Sequence, residues 1–82
     1  MKLTVDISMY PMAENYIEPI RAFIQQLNAY DDLQVATYPT STVLVGEHAL
    51  VMDALKDALG WSQKNFGTCV FVTKFITGYE AQ

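Results

Sequence analysis

From Leu3 to Tyr10 the chain alternates without a break. Leu3, Val5, Ile7 and Met9 are apolar, Thr4, Asp6, Ser8 and Tyr10 carry polar groups, and Pro11 follows. A period of two residues sends the two sets to opposite faces of an extended strand. One face must be buried, and the cover must come from elements of another period. The next segment has one: Ile17, Ile20, Ile24 and Leu27 fall at helical spacing, with Tyr16 and Phe23 flanking the stripe. Asn15 and Glu18 have the spacing of a capping box, and Pro19 is tolerated only in a first helical turn, so a helix is expected to begin there. Two β runs, LQVATY (33–38) and TVLVGE (42–47), are separated by Pro39, Thr40 and Ser41, the spacing and chemistry of a hairpin turn. Val51, Ala54, Leu55, Ala58 and Leu59 form a second helical stripe, expected to stop at Gly60. A loop over 61–67 and a last strand over 68–76 complete the reading.

The order is βαββαβ, in one domain spanning residues 1–82. It predicts an α+β fold, the ferredoxin-like sandwich: a four-stranded antiparallel sheet with both helices on one face and the first and third strands central. The other face then has no cover from its own chain. Thr4, Asp6, Ser8 and Tyr10 are expected on it. Leu44 joins them if Val43 and Val45 point toward the helices, and one of the two largely apolar rows of the last strand must face the same way. Leu44 and Phe71 are the interface candidates on this reading, because an exposed apolar patch on a small sheet favours a partner.

Composition narrows the partners. Nine acids against five bases leave a net charge of −4, and Lys2, Arg21, Lys56, Lys64 and Lys74 are scattered. Nucleic acid, which needs a basic face, is not expected. Cys69 is the sole cysteine, so neither an internal disulfide nor a cysteine metal cluster can form. No stretch reads as a secretory signal or a membrane span, and a cytoplasmic location is expected.

DISMYPM followed by NYIEPI, the hairpin YPTSTVLVGE running into VMDALKDAL, and the closing VFVTKFITG resemble the YkoF-like family of thiamin- and hydroxymethylpyrimidine-binding proteins. The resemblance spans nearly the whole chain, as a single-domain version of a unit that some members carry twice. It implies a binding rather than catalytic role, thiamin or its pyrimidine precursor as ligand, and homodimers or homotetramers built by packing open sheet faces together; no cofactor is expected. Two places match the family's pattern: Ser8 and Tyr10 ahead of Pro11, and Thr40, Ser41 and Thr42 leading into the third strand. The tail TGYEAQ departs from the glycine-rich ending of some members. The chemistry is compatible: Asp6 can accept from an exocyclic amine, Ser8 or Thr42 can donate or accept, and Tyr10 or Tyr38 can stack on a cationic ring.

Plainer readings stand beside these. Asp6, Ser8 and Tyr10 also suit a solvated face, Thr40, Ser41 and Thr42 an ordinary turn, and His48 and Lys74 the surface. Cys69 suits a core or interface position, and Trp61 and Phe66 a plug at the end of the core. Among enzymes of this fold, an acylphosphatase-like site needs an arginine after the first strand, and YPMAEN has none. TVLVGE lacks the aromatic and basic positions of an RNA-recognition module. A cofactor-free enzyme of the dimeric α+β-barrel type stays open as an alternative, as does a structural or regulatory oligomer for another ligand, although no nucleophile–base pair or carboxylate dyad stands out.

Overall fold

The computed structural model describes residues 1–81. Its elements are β1 (Lys2–Pro11), α1 (Ile17–Asn28), β2 (Gln34–Thr37), β3 (Thr42–Glu47), α2 (His48–Phe66) and β4 (Cys69–Thr77). The strands form one antiparallel sheet in the order β2-β3-β1-β4, the ferredoxin-like arrangement with β1 and β3 central. Leu3, Val5 and Ile7 are buried in one core with Phe23 and Leu27 of α1 and Val51, Ala54, Leu55 and Ala58 of α2. The alternation of β1 thus does what its period requires: one row meets the helices and the other does not.

The faces of β3 and β4 correct the sequence reading. Residues directly opposite in a ladder share a face. Leu44 lies opposite Val5, so it points toward the helices, where it is completely buried. Phe71 lies opposite Met9, on the same side, and its ring packs against Phe23 with centroids 5.0 Å apart. Neither side chain is on the open face. The residues that share that face with Thr4, Asp6, Ser8 and Tyr10 are Val43 and Val45 on β3 and Val70, Val72, Lys74 and Ile76 on β4. Leu44 and Phe71, the latter against Phe23 of α1, fill the volume between the layers, leaving the smaller valines outside.

Two local expectations also change. Helix α1 begins after Tyr16 without a side-chain cap, so Asn15 and Glu18 do not form a capping box, while Pro19 sits in the first turn as its chemistry demands. Helix α2 runs through Gly60 and ends at Gly67, whose φ of 72° is the left-handed value that favours glycine. Residues 61–66 are therefore helix, not loop. Within this extension Ser62 is buried, and Trp61 meets Phe66 of the same helix edge-on at 5.6 Å.

One end of the sheet is closed tightly. Gly46 lies opposite Leu3, and a Cβ there would come within 2.7 Å of Leu33 Cδ2. Past β4 the chain turns at Gly78 (φ 70°), whose N–H donates to the Lys2 carbonyl. The tail then reaches Thr4 on the open face: the Thr4 hydroxyl donates to the Tyr79 carbonyl (2.7 Å) and accepts from the Ala81 N–H (3.1 Å). Both Thr4 and Val45 are buried, although they belong to the open face. Lys2 stands within 3.6 Å of Glu47 and 3.9 Å of Glu80 at the rim, on exposed side chains that contribute little.

Candidate functional site

The other end of β1 is built differently. Pairing with β3 stops at Ile7↔Thr42, whereas pairing with β4 continues to Pro11↔Cys69. Residues 8–11 therefore overhang β3 by four positions, and the edge that a longer β3 would occupy carries no strand. Backbone polar groups on such an edge need partners. The β2–β3 turn fills part of the gap, closed by the Tyr38 N–H donating to the Ser41 carbonyl at 2.8 Å. Ser8 ties the overhang to that turn, its hydroxyl donating to the Thr40 carbonyl at 3.0 Å.

What stays open is a cavity of about 450 Å³ between the overhang, the turn and the start of α1. Its inner wall is apolar: Ile7 and Met9 from β1, and Ile20, Phe23 and Ile24 from α1. Tyr10, Tyr16 and Tyr38 also line it and are each more than half exposed, which places them at its mouth. Ser8, from the β1 overhang, and Thr40, Ser41 and Thr42, from the turn and the start of β3, complete the lining. An apolar hollow with a few convergent polar groups is the usual form of a small-molecule site. Its lining contains no carboxylate, imidazole, amine, guanidinium or thiol.

Of the residues singled out from sequence, Ser8, Tyr10, Tyr38, Thr40, Ser41 and Thr42 line this cavity together. Asp6 does not. It lies on the open face opposite Lys74, beside a shallower hollow of about 200 Å³ shared with Ser8, Tyr10, Thr40, Ser41 and Val72. The sequence reading missed the α1 side of the cavity. Periodicity alone reads Tyr16, Ile20, Phe23 and Ile24 as a helical core stripe, and the available signal is an aromatic just before a helix that faces a proline-ended strand. His48, at the start of α2, is exposed; its backbone N–H donates to the Met1 carbonyl, far along β1 from the cavity.

Solved structures with this architecture include protein SP2199 of Streptococcus pneumoniae, 25% identical, with a TM-score of 0.87 over 96% of this chain and 89% of that one. A Thermotoga maritima protein described as a "putative thiamine biosynthesis/salvage protein" is 22% identical, with a TM-score of 0.83 over 92% and 82% of the two chains. A hypothetical protein of Methanocaldococcus jannascii is also 22% identical, with a TM-score of 0.80 over 99% and 84%. No family model matches the chain, and no curated protein matches it. The likeness to these structures is one of fold. Among the described residues, no helix is long and apolar enough to cross a membrane.

Proposed function

We propose that this protein binds thiamin or its hydroxymethylpyrimidine moiety, without transforming it, in the cavity between the β1 overhang, the β2–β3 turn and α1. The observation that carries the reading is the lining: three tyrosines and four serine or threonine residues around an apolar wall, with no carboxylate, histidine, lysine, arginine or cysteine among them. Such a wall accepts a flat heteroaromatic ring, the hydroxyls and free strand edge orient its nitrogens, and the tyrosine faces suit a cationic thiazolium. The same lining holds no histidine, carboxylate, amine or thiol to serve as the base that would activate one of its hydroxyls. The sequence resemblance and the thiamine-related fold neighbour support the same ligand class.

The uncharged lining also supports a preference within that class. A phosphate ester placed there would bring about two negative charges to a surface with no lysine or arginine, so unphosphorylated ligands are favoured. Asp6 lies one strand face away and acts, on this reading, only on a ligand that also reaches the shallower hollow. The open face, on this reading, is where copies of the chain pack together, through the valine-rich row of β4. Val70, Val72 and Ile76 are each about half exposed there. Val72→Asp should then lower the sedimenting mass, and an unchanged mass would count against face packing.

Calorimetric titration with thiamin and with hydroxymethylpyrimidine tests the binding reading directly. Ligand at about 100 times its Kd adds roughly 2.7 kcal/mol to the native state, which raises the melting midpoint of a domain this small by about ten degrees or more. Saturable heat with that shift supports the reading; no heat and no shift with either compound removes it.

A further inference from the structure

Two hollows meet at the Tyr10 end of β1, and they differ in charge. The cavity of about 450 Å³ has no aspartate, glutamate, histidine, lysine or arginine in its lining. Its neighbour on the open face, of about 200 Å³, is lined by Asp6 and Lys74. Ser8, Tyr10, Thr40 and Ser41 belong to both linings, so the hydrogen bond from Ser8 to the Thr40 carbonyl stands in a wall that the two hollows share. A group that extends from the first hollow around this wall enters the second.

The charge held in place in the second hollow is negative. Asp6 is partly buried on a central strand, and its short side chain keeps the carboxylate at the sheet. Among the described residues it has neither a hydrogen bond nor an ion pair, although Lys74 stands opposite it in the ladder. Lys74 is exposed, and its four-carbon stem leaves the ammonium in water. A partly buried carboxylate without a protein partner is best satisfied by a cation brought to it. Asp6 lies two residues along β1 from Ser8, about 7 Å, a step that two small rings joined by one carbon can span.

We infer that the two hollows act as one bipartite site. The cavity takes a flat uncharged ring, and the hollow beside Asp6 takes a cationic group carried on that ring. Asp6 then selects a two-part cationic ligand, of which thiamin is an example, over the pyrimidine alone. This selectivity rests on the binding reading above, and one set of calorimetric titrations separates the two. The probes are thiamin, hydroxymethylpyrimidine, and an uncharged thiamin analogue with thiophene in place of thiazolium. Asp6→Asn keeps the shape of the side chain and should leave the melting midpoint of the free protein close to unchanged. It should weaken thiamin binding about fivefold or more, the scale of one charge pair at contact in water, and move the other two ligands by less than about twofold. Wild-type protein should bind thiamin more tightly than either of them. If Asp6→Asn weakens all three alike, or none, the inference is overturned and the binding reading stands. The same follows if wild-type protein holds the thiophene analogue as tightly as thiamin. If no probe binds the wild type, the binding reading itself falls, and the selectivity with it.

Discussion

The two ends of β1 are made from one alternating run, yet they do opposite things. At the Leu3 end both sides of the strand are covered: Leu3 and Val5 by the helices, Thr4 by the tail, with Gly46 leaving no spare volume beside Leu33. At the Tyr10 end the strand outruns its β3 neighbour by four residues, and the uncovered edge borders a cavity rimmed by tyrosines. The difference teaches that strand length, not residue type alone, separates support from site. Burial and paired hydrogen bonds concentrate where the ladders are complete; room for a ligand appears where one ladder ends early.

Substitutions can break or sharpen that contrast. The largest effect is expected at Leu44, now placed in the core: Leu44→Ala should destabilise the domain by about 2–5 kcal/mol in urea unfolding. A near-neutral result would mean that the helix-facing side is not the packed one. Next comes Gly46→Ala, which forces a methyl against Leu33 and Val51 and should remove about 1–3 kcal/mol. Thr4→Val keeps the shape but deletes both bonds to the tail, for about 1–2 kcal/mol and faster amide exchange at Ala81. If exchange there does not change, the tail does not clasp the sheet. The smallest stability effect belongs to the mouth. Tyr38→Ala should shift unfolding by no more than about 0.5 kcal/mol, because the side chain is exposed. The same change should weaken thiamin binding by about 0.5–2 kcal/mol if its ring stacks on the ligand. Measured by calorimetry beside the melt, that split between affinity and stability is what a site residue shows and a structural one does not.

Much of the fold was legible because its periods are clear. Leu3, Val5, Ile7 and Met9 announce a strand with one buried face, and Ile17, Ile20, Ile24 and Leu27 a helix to cover it. The hairpin at 38–41 was legible from turn chemistry, and turn chemistry with the family resemblance singled out polar residues that line the cavity. The end of α2 was not: Gly60 carries a local stop signal, yet the helix continues past it to bury Ser62 and to bring Trp61 against Phe66.

By itself, the sequence determined the order of elements and the helix-facing row of β1. Tertiary structure alone decided which rows of β3 and β4 face the helices. Val43, Leu44 and Val45 are apolar in succession, and both rows of β4 are mostly apolar, so a period-two argument has no contrast to read. Register against β1 resolved both. The cavity was decided the same way, because it exists only where β1 continues past the last residue that β3 can reach. Such a mismatch between two strands distant in sequence leaves no mark on either one.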